Sequence, residues 1–187
     1  IMLAGTLTIP EGDGPFPAVV LVTGSGPQDR DESLMGHKPF WVIADHLSRN
    51  GIAVLRYDDR GTAKSEGNFG SATSFDFATD AEAALAYLEN RKEINKSKIG
   101  VAGHSEGGLI ASILGAESKR LDFIVSLAGP GLTGEQIIYM QTELISKASG
   151  VSDKEVQENL SLMKLGFAII KSESDISKAK TKLMTLY

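Results

Sequence analysis

Short apolar runs and longer helical spacings alternate along the first two thirds of the chain. The apolar runs fall at about 3–9, 18–23 (AVVLVT), 52–56 (IAVLR), 98–102 (KIGVA) and 122–128 (DFIVSLA). The later runs are short, β-branched and nearly all apolar, as strands covered on both faces must be. Between them, Phe40, Ile43, Ala44 and Leu47 share one helical face, and Ala81, Ala84, Leu85 and Leu88 share another. Strand–helix–strand alternation of this kind predicts an α/β fold, a mostly parallel sheet flanked by helices.

After Pro130 the strand-like runs stop. Val156, Leu160, Met163, Phe167 and Ile170 recur at helical spacing, and Ser152 with Glu155 forms a capping-box pattern just ahead of them. Ile176, Ala179, Leu183 and Leu186 repeat the pattern. Residues 133–187 are therefore expected to form two or three amphipathic helices whose apolar stripes pack on the rest of the molecule. The expected division is a sheet-bearing part over 1–131 and a helical segment over 132–187. No internal repeat or low-complexity tract interrupts either.

Composition narrows the function classes. A chain of 187 residues, 42% hydrophobic and 23% charged, is long enough for one sizeable core. Its net charge of −5 resides in residues 1–130, since residues 131–187 balance at seven acidic against seven basic side chains. No Lys/Arg cluster offers a nucleic acid a footprint, so no nucleic-acid partner is expected. With no cysteine, disulfides, thiolate metal sites and cysteine nucleophiles are excluded. No apolar run has the length of a membrane span. The chain opens at Ile1, already in strand-like sequence, so the native N-terminus is expected to lie upstream. The compartment, cytoplasmic or exported, stays open.

The stretch carrying chemistry is KIGVAGHSEGGLIAS, Lys98 to Ser112, where Ser105 sits in a Gly-x-Ser-x-Gly setting between an apolar run and a helical pattern. A serine hydroxyl is a poor nucleophile at neutral pH. It must be held out from the backbone, beside a base and near amide donors that receive the developing oxyanion. A sharp strand-to-helix turn supplies the exposure and the donors: glycine at 103 and 107 lets strand and helix approach, and the Glu106 amide opens the helix. The same turn could instead be a close-packing device or a phosphate cradle. GHSEGG, however, fits neither Gly-x-Gly-x-x-Gly nor a P-loop.

Two further stretches lie at strand ends. In LVTGSGPQDRDES, Leu21 to Ser33, a glycine turn would bring backbone amides, that of Ser25 foremost, beside Glu106 to complete an oxyanion hole. The other is LRYDDRGTAKSEG, Leu55 to Gly67. Together, and in this order, Thr23-Gly24-Ser25-Gly26, Asp58-Asp59-Arg60-Gly61 with Ser65, and Gly103-His104-Ser105-Glu106-Gly107-Gly108 resemble the α/β-hydrolase superfamily. The resemblance is to its dienelactone-hydrolase-like and serine-aminopeptidase-like esterases, and it covers roughly residues 3 to 130. Residues 132–187 are similar to the helical cap that many members insert into the core. Ala63 departs from the pattern, standing where the family commonly has glycine.

That resemblance implies Ser105 as nucleophile, with the Ser25 and Glu106 amides forming the oxyanion hole and no metal or organic cofactor. Asp58, Asp59 and Arg60 are expected to hold loops together. Acid and base follow the serine in this superfamily, yet His37, His46 and His104 all precede Ser105. His37, after the oxyanion loop, is a candidate for lining the substrate pocket. Asp153 and Asp175 fall at polar positions of the helical segment. The expectation is therefore a fragment of a carboxylic-ester hydrolase, ending in its cap, whose acid and base lie beyond Tyr187. A small-peptide serine peptidase, or a binding domain that kept only the fold, remain as alternatives. The expected partners are a small-molecule ester and a second copy joined through the exposed edge of the strand at 122–128.

Overall fold

The computed structural model describes residues 1–186 and divides into two compact units, one over residues 1–130 and one from Gly131 onward. The first unit is a five-stranded sheet in the order β1-β3-β2-β4-β5. Its strands are β1 (Gly5–Thr8), β2 (Phe16–Val22), β3 (Ala53–Tyr57), β4 (Ile94–His104) and β5 (Phe123–Leu127). β1 pairs antiparallel with β3, and every other pairing is parallel. The result is the expected α/β architecture with one antiparallel edge strand. β4 starts earlier than its apolar run suggests, because Ile94 pairs with Phe16 ahead of a register shift. The intervening Lys96-Ser97-Lys98 is solvent-exposed and carries no apolar signal.

Side-chain alternation along the strands sends two sets of residues to opposite faces. Val19, Leu21, Val54 and Ala102 pack on Phe40 and Ala44 of helix α1 (Pro39–Arg49). Ala18, Val20, Val22, Leu55, Tyr57 and Val101 pack on α2 (Ser74–Glu89) and α3 (Glu106–Glu117) through Ala81, Leu85, Leu88, Ile110 and Ala111. Proline at the first position of α1 costs no hydrogen bond there. Thr73 and Asp76 close a capping box on α2.

The parallel order brings the C-terminal ends of β3, β2 and β4 side by side. The loops that follow them, each carrying one of the three sequence stretches, therefore meet at one end of the sheet. β5 is an edge strand and is exposed along its length, with Phe123, Ile124, Val125 and Leu127 all partly in solvent.

The second unit consists of α4 (Gly134–Ala148), α5 (Asp153–Ser172) and α6 (Ile176–Leu186). Ser152 and Glu155 form the capping box expected from the sequence, and Thr133 with Gln136 forms another. Val156 and Leu160 are buried, whereas Ile170 and Ile176 stand exposed. Helical spacing identifies residues that share a face. It does not supply something to cover that face.

Candidate active site

Ser105 follows β4 directly and precedes the first residue of α3. It occupies a left-handed backbone conformation, φ 52° and ψ −115°. Such a conformation is disfavoured for any residue with a Cβ and persists only where the surroundings enforce it. Two close approaches do so here. A Cβ on Gly103 would lie 1.9 Å from the Gly107 carbonyl oxygen, and a Cβ on Gly107 would lie 2.2 Å from that of Val22. Only glycine at both positions lets α3 sit this close to β4 and β2. The Ser105 N–H donates to Leu127 O at 2.9 Å, and Ser105 O accepts from the Gly108 N–H at 2.9 Å, fastening the turn on both sides.

The Glu106 N–H opens α3 and so has no acceptor within the helix. The Glu106 carboxylate accepts from Ser74 Oγ at 2.6 Å, tying the start of α2 to the elbow. Gly24 abuts the elbow from the β2 side: a Cβ there would be 3.2 Å from the Ser105 Cβ. Ser25 is exposed, and its N–H makes no hydrogen bond among the described residues. Ser25, Ser105 and Glu106 are thus brought to one end of the sheet. His37 is not joined to them; it lies in an exposed turn bridged to Leu34 through backbone hydrogen bonds.

Buried charges hold the surrounding loops. Asp58, 2% exposed, accepts from Arg30 Nε at 2.9 Å, Arg30 Nη2 at 2.7 Å and the backbone N–H groups of Arg30 and Lys64. Burial works to raise its pKa, but these hydrogen bonds outweigh it and keep the carboxyl below the usual carboxylate range. Asp59 accepts from Thr23 Oγ1 at 2.8 Å and the Gln28 N–H at 2.9 Å, spanning the loop that contains Ser25. Burial pushes the Asp59 carboxyl up to about 6, helped by the charges of Asp80 and Glu106 and opposed by the two hydrogen bonds. Arg60 forks onto Asp80 through Nε at 2.7 Å and Nη2 at 2.8 Å. Ala63 adopts φ 47°, the left-handed region that glycine enters without strain.

None of the three histidines accepts a hydrogen bond from Ser105 Oγ among the described residues. His46 is exposed on α1. The His104 ring turns to Glu32, its Nδ1 2.8 Å from Glu32 Oε1. Glu32 is not legible in the sequence, because nothing in the motifs that contain its partners, Gly24 and His104, points to it. No group of three His, Asp or Glu side chains among the described residues is arranged to hold a metal ion. No helix among them is long and apolar enough to cross a membrane. A cavity of about 430 Å³ lined by Leu3, Leu7, Leu55, Tyr57, Asp80 and Ala84 includes no residue of the elbow.

A strained strand-to-helix turn at the carboxyl end of a mainly parallel sheet, with helices on both faces, is the architecture of an α/β hydrolase. A family model described as serine aminopeptidase, S33, matches residues 39–175, and the chain belongs to that family. Esterase EstD of Thermotoga maritima is 37% identical over 161 residues, which are 86% of this chain and 38% of that protein. The chain thus spans well under half the length of this relative.

Solved structures agree on the fold. The α/β hydrolase GrgF from Penicillium sp. sh18 superposes with a TM-score of 0.59 at 21% identity, over 80% of this chain and 50% of that one. The 2,6-dihydroxy-pseudo-oxynicotine hydrolase gives 0.60 at 23% identity, over 87% and 42%.

Proposed function

We propose that the chain belongs to a serine hydrolase that cleaves carboxylic esters through an acyl-enzyme at Ser105. The observation that carries this reading is the backbone of Ser105, held left-handed between β4 and α3 by glycine contacts that admit no side chain. The naming of its relative EstD as an esterase supports the choice of ester as substrate.

In this mechanism Ser105 Oγ attacks the ester carbonyl carbon while a histidine takes its proton. The oxyanion that forms accepts hydrogen bonds from the Ser25 and Glu106 N–H groups. As the tetrahedral intermediate collapses, the protonated histidine gives its proton to the leaving alkoxide and the alcohol departs. Water, deprotonated by the same histidine, then attacks the acyl carbon and releases the acid. That histidine and its orienting carboxylate are assigned to sequence outside residues 1–187. The engagement of His104 by Glu32 and the exposure of His37 and His46 support this assignment. Residues 132–187 serve as a cap segment in the same reading. The exposed apolar edge of β5 supports association with a second copy.

A peptidase reading has its own support in the serine aminopeptidase description of the family. Both activities use identical machinery, so substrate decides. The test is hydrolysis of p-nitrophenyl esters against aminoacyl p-nitroanilides by the full-length protein and its Ser105→Ala variant. The ester reading requires turnover of the esters that Ser105→Ala abolishes to the level left by the remaining binding groups, roughly 10³–10⁴ over water. Preference for the anilides would move the assignment to peptidase. Undiminished turnover by Ser105→Ala would remove Ser105 from the chemistry.

A further inference from the structure

Glu32 combines three features that rarely coincide by accident. Its backbone is left-handed, φ 52°, although it carries a Cβ. Its side chain is only 9% exposed. Finally, a single oxygen, Oε1, receives two hydrogen bonds: one from the Gly24 N–H at 2.7 Å and one from His104 Nδ1 at 2.8 Å. An ionised carboxylate can only accept, so with Glu32 in that form the pair requires the His104 tautomer that is protonated on Nδ1. A buried carboxylate is costly unless such donors meet it, and a strained backbone is kept only where the fold enforces it.

The two donors belong to the two segments that must be in register for the chemistry. Gly24 begins the turn whose next amide is Ser25, and His104 immediately precedes Ser105. They lie in close contact, since a Cβ on Gly24 would be 3.2 Å from His104 Nδ1, 3.2 Å from Ser105 Cβ and 3.3 Å from Glu32 Oε1. By accepting from the Gly24 N–H, Glu32 fixes the Thr23–Gly24 peptide, directly ahead of the peptide that carries the Ser25 N–H, and that N–H has no protein acceptor among the described residues. An oxyanion donor works only when it is already aimed before charge develops.

We propose that Glu32 is a positioning residue. It clamps the Gly24–Ser25 turn to the elbow through His104, and so holds the Ser25 N–H opposite the Glu106 N–H. The proposal rests on the reading of Ser105 as nucleophile with those two amides as its oxyanion hole.

The test uses the full-length protein and the variants Glu32→Ala, Glu32→Gln, His104→Ala and Ser105→Ala. Three quantities are measured: kcat and KM for p-nitrophenyl acetate, the concentration of sites titrated by a fluorophosphonate, and the inhibition constant of phenylboronic acid. The boronate's tetrahedral serine adduct places an oxygen in the oxyanion hole. Removing a whole oxyanion donor costs about 10²–10³ in kcat. Misaiming one through Glu32→Ala is expected to cost about 10–100-fold in kcat per titrated site, with KM little changed and boronate affinity weakened by a similar factor. Glu32→Gln keeps an oxygen for the Gly24 amide and is expected to recover part of the loss.

Wild-type kcat per titrated site and wild-type boronate affinity in Glu32→Ala would overturn the proposal, even with a lowered melting temperature, because the carboxylate would then only stabilise. Should Glu32→Ala not fold, unchanged values in both Glu32→Gln and His104→Ala would overturn it equally. A failure of the underlying reading shows separately, as turnover that survives Ser105→Ala.

Discussion

In residues 1–130 the polar side chains reach far across the sequence. Arg60 meets Asp80, Arg30 meets Asp58, Thr23 meets Asp59 and Glu32 meets His104, over separations of 20, 28, 36 and 72 positions. From Gly131 onward most such contacts stay within one helix, as in Tyr139–Glu135 and Lys147–Glu143. The cross-helix exceptions, Lys171–Glu135, Lys147–Asp153 and Lys182–Glu173, lie at the surface. Burial divides in the same way. Among the described residues of the three C-terminal helices, only Val156, Leu160 and Gly166 are buried, while Leu144, Ile145 and Leu165 are more than half exposed. The sheet-bearing unit thus adds buried, non-local polar contacts, which also shape its loops, to its apolar core. The helical unit is held mainly by capping and by a thin apolar seam, the pattern of a segment that opens locally at low cost.

That contrast can be broken by mutation. Trp41, the one tryptophan, lies on α1 and reports on the sheet-bearing unit. Asp58→Ala leaves Arg30 without its carboxylate, and urea unfolding followed by Trp41 fluorescence should show a loss of about 3–5 kcal/mol. Removing Glu135, the partner of the exposed Lys171, should leave unfolding of the helical unit, followed by circular dichroism, unchanged within error. Core truncation sharpens the same contrast. Leu85→Ala empties a fully buried site between α2 and the sheet and should cost about 2–5 kcal/mol. Leu144→Ala on α4 should change stability by less than about 0.5 kcal/mol.

Acidification separates two carboxylates that are neighbours in sequence. The folded pKa of Asp59 is raised to about 6, so the native state binds a proton before the unfolded chain does. Its contribution to stability is therefore fully present below the unfolded value and is lost as pH rises through about 6. Relative to Asp59→Asn, the wild type should gain about 2 kcal/mol on going from pH 7.5 to pH 4.5, read from urea midpoints. The folded pKa of Asp58 is lowered, so its contribution runs the other way, present above the unfolded value and lost as pH falls through the folded one. Equal and parallel pH profiles for the two sites would show that their environments do not differ as described. A modest gain is expected of Ala63→Gly, which relieves a left-handed alanine at the expense of backbone entropy. A gain of about 0.5–1 kcal/mol in thermal or urea unfolding is expected.

The strands, the helices and the place of Ser105 are legible in the sequence because each is written locally: in apolar runs, in helical spacing, and in a glycine-flanked serine between the two. The Ser152–Glu155 cap is legible for the same reason. The clamp around the serine is not. Glu32 and His104 are 72 positions apart, and nothing in the spacing of either predicts that one carboxylate oxygen will meet both His104 and Gly24. Glu106 shows both situations in one residue. Its amide follows from the elbow motif, while its carboxylate bond to Ser74 depends on how α2 packs beside α3.

The central assignment is tested most directly by treating the full-length protein with a fluorophosphonate and mapping the modified peptide by mass spectrometry. The expected result is a single adduct on Ser105, in the peptide carrying GHSEGG, absent from Ser105→Ala and formed in step with loss of ester hydrolysis. An adduct on a different serine, or complete loss of hydrolysis with Ser105 unmodified, would contradict the assignment.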